Sequence, residues 1–388
     1  MKKFLFWATV VGTSLTSCVN DNENVLSPEE NPQPVTFEVG KYKPSSRATI
    51  AFPTTWTFGT YAFQEKPTVV GHSVFMDNVE ISYKNATTPY WSPNGEQYFW
   101  PHEGHLDFVS YYPYEHYKDA ESYEANTLSN AVPRLNDNLS ELSYQIFTVD
   151  ANNPVNLLYS DKAVKQKSNT SHYGFTGVPT LFHHALAKLA FRARAQRLDN
   201  SASSPTAITK WSIKLNYLKI SGIYNKGHVT LRVPEYNGTT STTLTWKKSG
   251  DYQVWDISGG DNVEKTWAPS EGQILISDAD QKGVLVQDGE NGFASEYYVL
   301  PQILDPNAQK ITISYTVTVT NPNGLTEVQP EKTITKSFSD FTSVVAWEMG
   351  KYITYIIEID PAGDTINFAP AIEDWVTTGN GTGGYATF

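Results

Sequence analysis

The sequence predicts an all-β protein built of two antiparallel β-sandwich domains in tandem. Short segments in which apolar and polar residues alternate recur along most of the 388 residues, and a period of two is typical of half-buried strands. Turn residues punctuate them, as in Ser92-Pro93-Asn94-Gly95 and Asn321-Pro322-Asn323-Gly324, because proline presets φ and Asn-Gly tolerates positive φ. Helices of ten or more residues, which a parallel α/β sheet needs between its strands, are not predicted. Sandwiches of short antiparallel strands are therefore expected.

The composition agrees with this fold class and excludes several functions. Aromatic residues make up 13% of the chain, with 23 Tyr, 18 Phe and 10 Trp against 3 Met, which suits pleated, half-buried surfaces. The net charge is −12 without a basic block, so nucleic acid, which is bound through Lys and Arg, is not an expected partner. A single cysteine leaves neither a disulfide framework nor a cysteine-based zinc site.

The N-terminus has the pattern of an export signal over residues 1–17. Lys2 and Lys3 precede an apolar run over 4–11 and small residues over 12–14, the order found in secretory signals. The run is too short to span a bilayer as a helix. Leu15-Thr16-Ser17-Cys18 resembles the lipobox of bacterial lipoproteins, which implies cleavage before Cys18 and acyl chains that anchor it to a membrane. An ordinary signal peptide with an incidental cysteine is the alternative.

Residues 18–47 are interpreted as a segment that precedes the folded domains. The stretch 26–34 contains three prolines and reads as a tether,. Val35, Phe37 and Val39 then alternate with polar residues and predict one short strand,. The following residues 41–47, which end at Arg47, are polar and of the type that proteases cut,.

The first domain is placed at 48–200. Its expected strands are 56–63, 79–83, 97–100, 106–112 and 144–149. In Phe182 to Phe191 the alanines favour a helix, whereas alternation favours a strand; both readings stay open, and the strand is preferred. The polar stretch 196–206 is the most linker-like one after the N-terminus,, and the boundary is set within it.

The second domain is placed at 201–388. Its expected strands are 211–218, 228–233, 242–246, 273–276, 283–286, 296–300, 310–320, 331–338 and 352–359. The cleanest alternation in the chain runs from Ile311 to Val319,. The tail 366–388 differs in character: an apolar patch holds Ile366, Phe368 and Trp375, a glycine-rich run follows, and the last residues include Tyr385 and Phe388.

Motifs for catalysis or metal binding are weak. His102 and His105 look like a metal pair, but Pro101 and Gly104 place them in a turn,. The adjacent His183 and His184 face opposite sides of a strand. Nucleophile, phosphate-loop and dinucleotide motifs are absent from the sequence,. We therefore expect no enzyme, cofactor, metal or catalytic residue. A secreted hydrolase, whose acidic pair would be assembled only in the fold, is the distant alternative.

The clustered aromatic residues admit a second interpretation. A sugar-binding platform could be formed by Trp91, Tyr98, Trp100, Tyr111, Tyr112 and Tyr114. Large alternating aromatic residues more often fill the core of a sandwich, because each one buries a large area. The core interpretation is favoured here.

Five motifs in order resemble the Bacteroidetes fimbrillin family, the subunits of type V pili. The motifs are Tyr98-Phe99-Trp100-Pro101 with Leu106 to Pro113, Phe182 to Leu189, Tyr297-Tyr298-Val299-Leu300-Pro301-Gln302, Trp347 to Tyr352, and Ile366 to Trp375. The resemblance spans nearly the whole chain. It implies two transthyretin-like sandwiches and a structural, adhesive subunit of a surface pilus.

The resemblance also implies a maturation route. The precursor would reach the outer membrane through a lipid, such as palmitate, on Cys18 and would be exposed on the cell surface. An arginine-specific protease would cut between Arg47 and Ala48, and loss of the Val35–Val39 strand would leave a groove. A strand from the next subunit, drawn from 366–388, would fill the groove by strand addition. Partners would be copies of itself or other pilus subunits, and host or bacterial surface glycans or proteins. The alternative is a surface lipoprotein that binds a glycan or host ligand without polymerising.

Overall fold

The structure is a computed structural model. It describes residues 32–39, 52–68, 70–115, 134–135, 141–149, 155–168, 177–195, 210–232, 235–236, 262–268, 273–275, 284–286, 297–341, 344–360 and 366–374. These residues form strands, apart from connections and one 3-10 turn at Phe338–Asp340. The predicted all-β class is confirmed, whereas the narrower expectation of two transthyretin-like domains stays a prediction. None of the described helical residues forms a segment of the length and hydrophobicity that crosses a bilayer.

Twelve strands lie in the described part of the chain before residue 196. They are β1 Phe37–Val39, β2 Phe58–Glu65, β3 His72–Lys84, β4 Tyr90–Pro93, β5 His105–Tyr112, β6 Arg134–Leu135, β7 Glu141–Thr148, β8 Leu158–Ser160, β9 Lys162–Gln166, β10 Val178–Thr180, β11 Phe182–His184 and β12 Ala187–Ala195.

Fourteen further strands lie in the described residues from 210 onward. They are β13 Lys210–Tyr224, β14 Lys226–Arg232, β15 Glu235–Tyr236, β16 Asn262–Trp267, β17 Gln273–Leu275, β18 Val284–Leu285, β19 Tyr297–Val299, β20 Gln302–Ile303, β21 Lys310–Thr320, β22 Thr326–Val328, β23 Lys332–Ser337, β24 Ala346–Trp347, β25 Lys351–Ile359 and β26 Ile366–Asp374.

Most predicted strands are confirmed, with two informative differences. The ambiguous segment from Phe182 is strand, but Ala185 and Leu186, both fully buried, form a corner that splits it into β11 and β12. The strand predicted at 97–100 is wrong: only Phe99 forms a bridge, to Pro34. Pro101, which follows directly, has no N–H to extend a ladder. The predicted strand 242–246 lies outside the described residues.

The first sheet follows the order β10-β1-β4-β3-β2-β5-β8-β11, with β9 and β15 attached beside it. Its two end strands are consecutive in sequence, and only Leu181 separates β10 from β11. The sheet therefore curls round until its ends meet at a corner, and buried residues such as Phe58, Leu106 and Phe108 form an apolar core against it, called the first core below. The Asp161 backbone N–H donates to the Leu181 carbonyl at 2.9 Å and fixes that corner.

Two more sheets enclose a second core. Their orders are β18-β12-β25-β26 and β16-β13-β21-β22. The core contains fully buried residues of β12, β13, β21 and β25, including Phe191, Leu215, Ile313 and Tyr355. Strand β12 thus packs with strands of the second half, and it pairs with β25 in parallel. Parallel pairing, also seen for β1–β10 and β15–β9, departs from the purely antiparallel sheets that the sequence predicts. The predicted boundary at residue 200 lies outside the described residues and stays a prediction.

A third apolar cluster joins the two cores. Residues of the first half, such as Tyr61 and Tyr111, pack there with Leu300 and, at its edge, Tyr298 and Met349. Because this cluster buries side chains from both halves, separating them would expose apolar surface.

The Pro301-Gln302 motif has a structural role in this arrangement. The buried Gln302 carboxamide donates to the carbonyls of Tyr224 and Leu300 at 3.1 and 3.0 Å. Its oxygen accepts from the Tyr224 N–H at 3.3 Å and from the Gln309 side chain at 3.0 Å. The amide therefore satisfies buried backbone groups where β13 ends and β20 begins.

Candidate functional site

The candidate site is the slot in the first sheet that β1 occupies. Strand β1 pairs on one side with β10, in parallel, and on the other with β4, where Phe37 faces Trp91. The Val178 N–H donates to the Thr36 carbonyl at 2.8 Å. A strand bonded along both sides lies inside a sheet, although it belongs to the segment that precedes the predicted cut.

The backbone contacts extend beyond β1 toward the N-terminus. The Val35 N–H donates to the Tyr98 carbonyl at 2.8 Å, and the Trp100 N–H donates to the Gln33 carbonyl at 3.0 Å. Pro34 lies between these bonds and forms a bridge with Phe99. The Tyr98-Phe99-Trp100 motif thus serves as a backbone edge for the segment 33–35, a role that alternation alone did not reveal.

The side chains of this segment fill the first core. Val35 and Phe37 are 1% and 2% exposed, and Val39 is half-buried. The Phe37 ring packs edge-on against Phe58 and Phe108, with centroids 5.9 and 5.6 Å apart. The predicted strand residues are therefore placed together in one apolar slot.

Gly177 marks the closest approach of the slot to its occupant. A Cβ at this position would lie 2.7 Å from the Thr36 carbonyl oxygen and 2.9 Å from its carbon. Contacts this short with backbone atoms cannot be relieved by a rotamer change. Glycine at 177 therefore lets a strand approach β10 closely.

The aromatic residues considered as a platform pack largely within the core. Trp91 and Tyr111 are 6% and 1% exposed. The half-buried Trp100 and Tyr112 contact Phe108 and Trp56, the latter in a stack with a centroid distance of 4.3 Å. Burial, together with the nearby Tyr298, raises the pKa of Tyr112 to about 12. These rings stack on protein, as the core interpretation expects.

The tail segment lies at a sheet edge. Strand β26 pairs along its whole length with β25, from Ile359–Ile366 to Lys351–Asp374. It ends the order β18-β12-β25-β26, so within the described part of the chain it has one bonded neighbour. The backbones of Ile366 and Phe368 belong to this strand. Trp375, Tyr385 and Phe388, like Cys18, Arg47 and Ala48, lie outside the described residues.

The histidines considered as metal ligands contact different partners. His105 Nε2 lies 3.0 Å from a Glu65 carboxylate oxygen, and Gly104 has a positive φ of 79° in the predicted turn. His183 and His184 face different partners, Asp161 at 2.6 Å and Asn156 at 3.1 Å. Among the described residues, three or more His, Cys, Asp or Glu side chains do not converge on a point that would hold a metal ion.

The buried His184 is expected to make the stability of the protein decrease in acid. Its side chain is buried, and burial, aided by Lys188 and His183, lowers its pKa from 6.5 to about 3. Between about pH 6.5 and 3, His184 is therefore protonated in the unfolded chain but neutral in the folded chain. The free energy of unfolding falls as the pH drops through this range. One such group contributes a slope of about 1.4 kcal/mol per pH unit.

The measurement compares urea unfolding of the wild type and His184→Asn between pH 7 and 4. We expect the variant to lose less stability with acid than the wild type does. Burial raises the pKa of Asp161, and this shift stabilises the folded chain as the pH falls, opposite to the effect of His184. It is present in both the wild type and the variant. His72→Asn, at an exposed site, is the matched control. Equal slopes for the wild type and His184→Asn would refute the prediction.

Comparison with known proteins shows which proteins this chain resembles. A fimbrial protein from Bacteroides vulgatus ATCC 8482 is similar in structure, with a TM-score of 0.51 and 17% identity over 89% of this chain and 100% of that chain. A candidate cell adhesion protein from Bacteroides uniformis ATCC 8492 has a TM-score of 0.42 and 16% identity over 90% of this chain and 100% of that chain. The curated proteins contain no match. The model of the fimbrillin-like family matches residues 46–375, and the chain therefore belongs to that family.

Proposed function

We propose that this chain is the precursor of a structural, adhesive subunit of a surface pilus, which assembles by exchange of a β-strand. One observation carries the proposal: β1, from the segment before the predicted cut, is bonded to both β4 and β10 and fills the core with Phe37. Loss of a strand from this position is costly unless another strand takes its place, because it leaves open sheet edges and an apolar slot.

Maturation would expose the slot. In the proposal, Cys18 carries the lipid that holds the precursor at the outer membrane, and an arginine-specific protease cuts between Arg47 and Ala48. Release of the segment before the cut would remove Val35 and Phe37 from the core and free the edges of β4 and β10. The family match, which begins at residue 46, agrees with a boundary at this point.

Assembly would use the tail of a second subunit. The proposed donor lies within 366–388, whose described part is the edge strand β26. A donor that leaves one subunit to enter the next makes a head-to-tail contact that does not close on itself, and such contacts build filaments. Subunits of this kind act through assembly and surface contacts, without catalysis.

The test is proteolysis of the precursor with an arginine-specific protease. We expect a new N-terminus at Ala48, read by mass spectrometry, followed by oligomers that survive on unheated gels and appear as filaments by electron microscopy. Arg47→Lys keeps the charge but removes the cleavage site, so this matched variant should stay uncut at 47 and monomeric. A wild-type protein that is cut at Arg47 and stays monomeric would favour the non-polymerising, glycan-binding lipoprotein.

A further inference from the structure

A buried ion pair joins two strands of the first sheet. Lys162 of β9 and Asp107 of β5 are 7% and 8% exposed, and Lys162 Nζ lies 3.4 Å from Asp107 Oδ2. The proposed function uses neither residue. Taking two charges out of water is expensive, and the cost of desolvation can exceed the attraction between them. A contribution to stability therefore does not by itself account for this pair.

The backbone beside this pair is irregular. The pairing of β5 with β9 shifts register between Leu106 and Phe108, so that β9 carries one extra residue there. Within this bulge Lys165 has a positive φ of 55°, which is costly for a residue with a Cβ. The Lys165 N–H donates to Asp107 Oδ1 at 2.7 Å, and His105 Nε2 lies farther away, at 4.0 Å from the same oxygen. The bulge thus aims a backbone donor at one carboxylate oxygen while a lysine approaches the other.

We propose that Lys162 and Asp107 condense into an amide bond between their side chains, which joins β9 covalently to β5. Lys162 Nζ passes one proton to Asp107 Oδ2 and, as a neutral amine, attacks Asp107 Cγ. The Nζ–Cγ bond forms, the Cγ–Oδ2 bond breaks, and Oδ2 leaves as water with a second proton from Nζ. The third hydrogen stays on the amide nitrogen. The step is a condensation without a change of oxidation state, so it needs no further reactant.

The site offers what such a condensation requires. The Lys165 N–H contacts Oδ1, where negative charge develops as Cγ becomes tetrahedral, and a preorganised donor at this place stabilises the oxyanion. The sheet holds the two reacting groups in contact, and well-oriented groups within one molecule reach effective concentrations of about 10⁵–10⁸ M. In water the charged amine and acid are strongly preferred, which opposes condensation; burial weakens this preference. The product is one neutral amide in place of two buried charges.

The bond would stiffen the first core next to the β1 slot. Asp107 precedes Phe108, whose ring packs against Phe37 of β1 with centroids 5.6 Å apart. A covalent link from Asp107 to β9 would hold β5 in place whether or not β1 is present. The inference therefore does not depend on strand exchange, and it can be tested on the precursor itself.

The experiment is tryptic peptide mapping of the full-length chain by mass spectrometry. We expect peptide 85–118, which contains Asp107, to be joined to peptide 135–165 without a cut after Lys162. The joined species should have the sum of the two peptide masses less one water molecule. The exposed pair of Lys219 and Glu264 is the control within the same digest, since its atoms are also 3.4 Å apart but its side chains are 33% and 59% exposed; it should remain unlinked. Free peptide 85–118 together with a cut after Lys162 in the wild type would overturn the proposal.

Two matched variants test which lysine reacts. Lys162→Arg keeps the positive charge but removes the amine nucleophile, so its digest should contain the two peptides unlinked and at full mass. Lys165→Arg keeps the backbone N–H that faces Asp107, and this variant should be linked as the wild type is. A link that persists in Lys162→Arg, or one that disappears in Lys165→Arg, would overturn the assignment of Lys162 as the reacting group.

Discussion

Replacing Gly177 by alanine is expected to expel β1 from the first sheet. The added Cβ would lie 2.7 Å from the Thr36 carbonyl oxygen, and φ at Gly177 lies outside the left-handed region, so the loss comes from this contact alone. Without β1, Val35 and Phe37 lose their burial, which is worth about 1.5–3 kcal/mol for each side chain. We expect a loss of several kcal/mol of stability.

Hydrogen exchange locates the effect. In Gly177→Ala, the amides of Val35, Trp100 and Val178, which bond across the slot, should lose protection. Gly71→Ala is the control, since a Cβ there meets nothing within 4 Å although φ is +105°. That variant should lose stability through backbone strain and keep these amides protected. Full protection of the Val178 amide in Gly177→Ala would contradict the close approach.

Phe37→Ala is expected to destabilise the first core by about 3–5 kcal/mol, the usual cost of truncating a buried phenylalanine. The ring is 2% exposed and packs between Phe58 and Phe108, so its removal leaves a cavity. In the proposed function the same change loosens β1, and cleaved protein should assemble sooner.

The loss of stability is measured by urea unfolding. The unfolding is monitored with a spectroscopic probe in the first half of the chain, because the two cores need not unfold together. Phe99→Ala is the matched control, since Phe99 lies beside the same segment but is 40% exposed; it should cost much less. A stability of Phe37→Ala equal to that of the wild type would show that β1 does not fill the core in solution.

Local pattern predicted the strands but not their partners. Val35, Phe37 and Val39 predicted β1 because the period of two is visible within five residues. Its neighbours β4 and β10 come from distant parts of the chain, and sequence alternation carries no information on pairing. The same limit explains the parallel contact of β12 with β25, which only the tertiary fold brings together.

Two predictions of local secondary structure differ from the fold for physical reasons. The strand predicted at 97–100 contains three consecutive aromatic residues, but Pro101 follows directly and the segment serves as an edge for 33–35. The corner at Ala185 and Leu186 interrupts a regular alternation because these residues are buried between the two cores. The role of Gly177 was equally hidden, since a close approach depends on the partner strand.

The curled first sheet, whose ends meet at Leu181, also bears on mechanical strength. A strand in the β1 position that is pulled along its own axis loads the hydrogen bonds to β4 and β10 together, in shear. They must break at nearly the same moment, whereas an edge strand peeled sideways loses its bonds one at a time. Resistance to force is governed by the unfolding rate, so a filament joined through this slot would have joints that hold under shear flow.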